Sequence, residues 1–262
     1  MDHKEVGKYW DRNAAAWTLL VRAGADVYRD YLNTPAFFDM LPDIKGLEGI
    51  DIGCGEGHNT RLLAKQGAQV TGIDIAALFI EKAQEWEQNE PLQIRYQVAS
   101  AVALPFENQR FDFATAFMCF MDIPETENVL AEAFRVLKPG GFLQFSISHP
   151  CYTTPHRKNL RDAKGTNYAV EIGGYFADPD GYIDEWIFTT AAPELLQGLP
   201  VFRIPHFNRT VSQWVNLITA TGFVIEQMAE PRPSAALIKQ IPKLQNADVV
   251  AYFLQIRCRK PA

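Results

Sequence analysis

"GIDIGCGEGHNT" (residues 49–60) sets three glycines into five positions directly behind an apolar run. The run reads as a strand and the residues beyond Gly57 as the start of a helix, so the glycines occupy a strand-to-helix turn. Gly53, Gly55 and Gly57 have no side chain and reach positive φ readily, which lets the main chain lie against a ligand. A tight turn can also use glycine for purely structural reasons, so the choice depends on the spacing and on the residues further along the chain. A dinucleotide-binding turn needs G-x-G-x-x-G, and counting from Gly53 the sixth position is His58. The turn is instead acidic-x-G-x-G-x-G, beginning at Asp51.

Working outward, "QVTGIDI" (69–75) predicts a second strand ending in Asp74, and 76–89 a helix stopped before Pro91. "IRYQVA" (94–99) and "FDFATAFM" (111–118) predict strands three and four, the latter apolar throughout after Asp112, as suits a strand buried on both faces. A helix follows Pro124, and "GFLQFSIS" (141–148) predicts the fifth strand. Ahead of this core, residues 5–32 carry Trp10, Ala14, Trp17, Val21, Tyr28 and Leu32 at helical spacing, ending around Asn33-Thr34-Pro35. The alternation lapses over 150–208, which predicts irregular structure with a short β-hairpin. It resumes at Thr210, which with Gln213 forms a capping box, and Gly222 closes that helix. "FVIEQMAE" (223–230) and "VVAYFLQIRC" (249–258) supply the last two strands. Two strands after one helix place the final one antiparallel between its neighbours. The expected fold is α/β: a Rossmann-like, doubly wound sheet of seven strands, mostly parallel.

Composition narrows the function. The 262 residues are 47% hydrophobic and 21% charged, enough for a sizeable core. A net charge of −6 with no basic stripe argues against nucleic acid as a partner. Cys54, Cys119, Cys151 and Cys258 form no CxxC pair, which fits reduced thiols in a cytoplasmic protein. The first residues lack the apolar core of a signal peptide, and no run approaches the ~20 apolar residues of a membrane span. Oligomeric state is not legible.

"SAVALPFENQRFDFATAF" (100–117) and "LAEAFRVLKPGGFLQFS" (130–146) decide between cofactor classes. Together with the glycine turn and Asp74, these stretches resemble the later motifs of class I S-adenosylmethionine-dependent methyltransferases, in the small-molecule branch that includes ubiquinone and menaquinone methyltransferase-like proteins. The resemblance implies S-adenosylmethionine as cofactor and a small-molecule methyl acceptor. It implies that Asp51 and the backbone of Gly53, Cys54, Gly55 and Gly57 hold the methionine moiety. Asp74 would take the ribose hydroxyls and Ile75 would flank the adenine. Ser100 and Ala101 would sit at the adenine edge, where relatives commonly have aspartate in place of Ser100, and the main chain at Phe117 would meet the cofactor ammonium. Leu137–Gly141 reads as structural, with Pro139 stopping the helix and the glycines turning into the fifth strand.

The same resemblance implies a helical lid over residues 1–44, a cofactor-binding core over 45–149, a substrate-cover insertion over 150–208 and a closing segment over 209–262, all in one domain. Arg22 in the lid is a candidate for the cofactor carboxylate, or else a solvated helix residue; Trp10 and Trp17 read as packing on the sheet. Tyr175, Phe176, Tyr182, Trp186 and Phe202 would cover the acceptor. His149, where the fifth strand leaves the sheet, is the expected catalytic base, or else a histidine ordered by its own loop. His206 ends the insertion and can enter the same cleft, and Asp122 either meets substrate or precedes a helix as an N-terminal charge. His149, Cys151 and His156 lack metal-site spacing, so no metal is expected. The alternatives are a non-catalytic S-adenosylmethionine-binding protein and a nicotinamide-dependent oxidoreductase.

Overall fold

The computed structural model describes residues 1–177 and 181–262; Asp178, Pro179 and Asp180 of the turn-rich stretch lie outside the described residues. The chain begins with α1 (His3–Arg22), capped by a reciprocal Asp2–Glu5 box, then a π-helical turn (Arg29–Asn33) and α2 (Thr34–Met40). Next come β1 (Glu48–Ile52), α3 (His58–Lys65), β2 (Gln69–Asp74), α4 (Ala77–Asn89), β3 (Arg95–Val98) and β4 (Phe111–Phe117). A 3-10 turn (Phe120–Asp122) leads to α5 (Thr126–Val136) and β5 (Leu137–Ser148). The insertion holds β6 (His156–Arg161), β7 (Asn167–Gly173), β8 (Tyr182–Trp186), α6 (Pro193–Leu196) and β9 (Phe202–His206). Then come α7 (Val211–Ala220), β10 (Val224–Ala229), α8 (Ala235–Gln240), α9 (Asn246–Val249) and β11 (Phe253–Arg259).

The main sheet has seven strands in the order β10-β11-β5-β4-β1-β2-β3. β1 to β5 run parallel, and β11 inserts antiparallel to both β5 and β10, as expected from the sequence. The chain winds from β1 outward to β3, then returns to the other side of β1 with β4. The crevice at the carboxyl ends of β1 and β4 is therefore the switch point where open parallel sheets bind ligands.

Four readings of the sequence differ from the structure, the first being the last strand, where β11 begins at Phe253 because α9 runs to Val249. Pro35 does not end the N-terminal helices but sits in the first turn of α2, where its missing N–H has no intrahelical partner to lose. β5 starts at Leu137, paired with Phe111 before a register shift, so Leu137–Gly141 is a bulged strand entry and not a separate turn. The insertion carries two antiparallel ribbons, β6/β7 and β8/β9, where one hairpin was expected. The capping box of Thr210 with Gln213 is present, with Gly222 at φ +102 behind α7.

One polar network fastens the N-terminal helices to the sheet. Asn33, fully buried, donates to Ser146 Oγ at 2.8 Å and accepts from Gln255 Nε2 at 2.8 Å, and Gln144 Nε2 donates to the Phe37 carbonyl at 2.7 Å. Gln144, Ser146 and Gln255 all lie on buried strands, where an unpaired polar group is costly. Asn33→Ala removes the amide partner of Ser146 and one of the two acceptors of Gln255 Nε2, which keeps the Asn33 carbonyl, so we expect a loss of about 1–3 kcal/mol in urea unfolding. An unchanged midpoint would show that the network is not holding the lid to the sheet.

Candidate functional site

β1 delivers Asp51 to the floor of the crevice, and β2 delivers Asp74 beside it. Asp51 accepts hydrogen bonds from Thr60 Oγ1 in α3 (2.6 Å) and Thr115 Oγ1 in β4 (2.7 Å). Asp74 accepts from the N–H of Gly55 (3.0 Å) and of Ala76 (2.9 Å), so its carboxylate orders the glycine turn and the entry to α4 together. The turn is also pinned by Gly53 N and Cys54 N, which both donate to the Ile73 carbonyl.

The three glycines divide by role. All have positive φ, at +70, +55 and +91. A side chain on Gly53 would meet Cys119 Sγ at 2.2 Å, and one on Gly57 would meet Tyr96 Oη at 2.6 Å, so these two are required by protein packing. Over Gly55 nothing lies within 4 Å. Its exposed backbone looks into a cavity of about 660 Å³ roofed by the N-terminal helices and the β8/β9 ribbon.

Of the residues expected from the sequence, Asp51, Gly53, Cys54, Gly55, Asp74, Ile75, Ser100, Ala101 and Phe117 line this cavity. Ser100 Oγ accepts from Val102 N at 3.4 Å within its own loop. Gly57, Arg22 and His149 are not in the lining. Arg22 lies over the Trp86 ring, donates to the Lys82 carbonyl and reaches Glu56 at 3.4 Å. His149 is buried, with Nε2 at 2.9 Å from Glu230 and Nδ1 accepting from Cys151 N. Its loop and β10 hold it.

Other lining residues carried weaker signals. Arg29, on the π-helical turn, faces the cavity and sits 3.7 Å from Glu56. Trp10 and Trp17 do not pack on the sheet. They meet edge-on at 5.3 Å, and Trp10 touches Phe79 of α4 while Trp17 touches Trp186, Phe188 and Phe202. Among the five aromatics expected to cover the acceptor, Trp186 alone is in the lining; Phe176 is 88% exposed. Phe188, at no distinctive spacing, was not legible as a site residue. Asp122 and His206 both line the cavity, with His206 Nδ1 2.9 Å from Asp122 Oδ1. The two atoms are within ion-pair range, and the pair is charged when the ring is protonated.

Burial dominates the electrostatics. It pushes Asp51 and Asp74 up to about 6, against the hydrogen bonds each accepts, and neither has a cationic side chain in contact among the described residues. His58 is pushed down to about 4 by burial and then by the Arg29 charge, leaving it neutral. Asp122 is raised by burial, while His206 is raised because the Asp122 carboxylate overcomes the opposing effect of burial.

The comparisons with known proteins agree with this geometry. Residues 50–145 match a family model described as a methyltransferase domain. A ubiquinone biosynthesis O-methyltransferase of Coxiella burnetii is 35% identical over 110 residues, covering 42% of this chain and 47% of that protein. The chain thus spans about half the length of that curated relative. A solved S-adenosylmethionine-dependent methyltransferase from Mesorhizobium loti, 27% identical, aligns over 86% of this chain and 96% of its own with a TM-score of 0.70. Over its core and in its overall fold the chain is similar to S-adenosylmethionine-dependent methyltransferases. S-adenosylmethionine is the cofactor that these similarities support. A solved cyclase shares the fold over the full chain at 16% identity and a TM-score of 0.64, so the fold by itself does not fix the reaction.

The two aspartates tie cofactor affinity to pH. Their folded values exceed the ordinary 3.8, so the free protein holds these protons more tightly than the unfolded chain. Ionising them costs stability above about pH 6, and that cost is relieved as the pH falls through 6 towards 3.8. Cofactor affinity runs the other way, because only the ionised pair offers full acceptors and negative charge. In titration calorimetry from pH 5 to 8 we expect affinity to weaken below about pH 6. Asp74→Asn should weaken binding by about ten- to a hundredfold at pH 7.5 while the circular dichroism of the free protein stays native. Affinity independent of both pH and Asp74 would remove this carboxylate from the site.

Proposed function

We propose that this protein transfers the methyl group of S-adenosylmethionine to a small-molecule acceptor held in the same cavity. The observation that carries the reading is the pairing of open space over Gly55 with two buried carboxylates that lack cationic partners among the described residues. A ligand bearing a sulfonium, an ammonium and a ribose diol supplies the charge and donors that this cradle lacks. The similarity to a ubiquinone biosynthesis O-methyltransferase of Coxiella burnetii supports a small organic acceptor.

In this reading Asp51 and the backbone of Gly53, Cys54 and Gly55 frame the methionine moiety, and Gly57, outside the lining, shapes the turn. Asp74 accepts from the ribose hydroxyls. Ile75, Ser100 and Ala101 border the adenine, with Trp10 and Phe79 closing that end. Phe117 directs its main chain at the ammonium. For the cofactor carboxylate, Arg29 is better placed than Arg22, because Arg29 lines the cavity and Arg22 lies outside it. Residues 1–44 act as the lid, 45–149 as the cofactor core, 150–208 as the acceptor cover and 209–262 as the closing segment. When bound, the cofactor supplies an already activated methyl electrophile. The chain's own contribution is to align the acceptor in line with it and to keep water out beneath Trp17, Trp186 and Phe188.

Gly55→Val fills the open space with a branched side chain and strains a residue held at φ +55. It should abolish S-adenosylmethionine binding while circular dichroism stays native. Normal binding would reduce the turn to a structural connector. Turnover is tested by S-adenosylhomocysteine release from labelled cofactor across hydroxyl, amine and thiol acceptors. Tight cofactor binding with no release in any class would favour the non-catalytic alternative.

A further inference from the structure

The lining segment just beyond β4 carries a charged pair that has no part in holding the cofactor. Asp122 closes the 3-10 turn after Phe117, with its backbone N–H donating to the Cys119 carbonyl. Its side chain is 4% exposed and that of His206, far along the chain at the end of β9, is 9% exposed. The two segments are locked beside each other, because Phe207 N donates to the Met121 carbonyl at 2.9 Å. A core loop and the end of the insertion are thus brought together so that one carboxylate and one imidazole share the cavity wall.

We propose that Asp122 and His206 are the proton-accepting pair of this site, and that the acceptor presents a hydroxyl of phenol-like or enol-like acidity. This rests on the methyl-transfer function proposed for the cavity. His206 is the catalytic residue and Asp122 a positioning residue that holds the ring and favours its charged form. The groups facing the imidazole are Asp122 from the 3-10 turn, Asp184 and Tyr182 from β8, and Arg157 from β6. Asp122 and Asp184 favour the proton on His206 and Arg157 opposes it. The acceptor class is set by acidity. An imidazole near 6.5 or above is mismatched by a few units to a hydroxyl like that of tyrosine, near about 10, but by about nine to one like water, near about 16. A thiolate or a free amine would leave the pair without a task.

In the step itself, the acceptor O–H bond breaks and its proton goes to His206, whose positive charge Asp122 faces. The oxygen electron pair forms the new O–CH₃ bond as the S–CH₃ bond breaks, and that bonding pair stays on sulfur, which becomes a neutral thioether. The imidazolium then releases its proton to solvent. His206 must be neutral to begin, so the rate should rise with pH through a value above the ordinary histidine 6.5.

The test uses 4-nitrocatechol, whose visible absorption distinguishes the ring hydroxyl from its anion, added to protein saturated with S-adenosylhomocysteine near pH 5.5. Wild type should bind the probe and show the anion band. His206→Gln should bind S-adenosylhomocysteine with unchanged affinity and show the neutral band, and single-turnover methylation of the probe should fall by about a hundredfold. Asp122→Asn should weaken the anion band with cofactor affinity unchanged, which guards against a His206 variant that fails to fold. Absence of probe binding, a neutral band in wild type, or an anion band retained in His206→Gln would overturn the proposal. Its loss in His149→Gln instead would return the base to His149. Failure of S-adenosylhomocysteine to bind wild type would overturn the functional reading itself, so the two failures are distinguishable.

Discussion

Two buried carboxylates at the ends of adjacent parallel strands hold the site in place. Asp51 ties α3 to β4 through Thr60 and Thr115, and Asp74 ties the glycine turn to the start of α4. Both sit where burial favours their neutral forms, and the protein meets them with hydroxyls and amides but, among the described residues, no cation. The strands, the turn and the first two core helices are therefore arranged around charge left for a ligand to complete. That arrangement costs stability in the free protein, as expected where binding energy is stored in the architecture.

The roof is fastened by directed contacts. In α1, Asp11 Oδ1 accepts from Leu78 N at the start of α4, and the Asn13 amide pairs with both backbone groups of Arg203 in β9. His3 reaches Glu125 ahead of α5. One helix thus bridges the cofactor core and the insertion, while the tryptophan pair on it packs against both. The N-terminal helices and the insertion thus meet over the cavity through α1.

The core was legible in the sequence because its signals are local. Apolar strands, the glycine turn and Asp74 each declare themselves within a few residues, and strand order is implied by their alternation with helices. The insertion was not, because its ribbons are placed by long-range contacts, β9 against α1 and β7 against α9. Composition marks it as aromatic without saying that Phe188 faces inward and Phe176 faces water. His149 and His206 illustrate the same limit. His149 follows β5 and His206 ends β9, and only packing separates the ring held by Glu230 from the one facing Asp122. Arg22 and Arg29 likewise sit on neighbouring helical turns, and the π-helical turn that brings Arg29 inward has no sequence signature. Gln144 and Ser146 are buried polar residues of β5, and Ser146 is half of the anchor with Asn33.

The central claim is that this cradle is built for S-adenosylmethionine and leaves room for an acceptor beside it. A crystal structure with S-adenosylhomocysteine tests it most directly. The account predicts the ribose hydroxyls on Asp74, the amino-acid portion against the backbone of Gly55, and the sulfur facing the space in front of Asp122 and His206. A ligand bound with its ribose away from Asp74, or one whose sulfur faces a wall with no room for an acceptor, would contradict it.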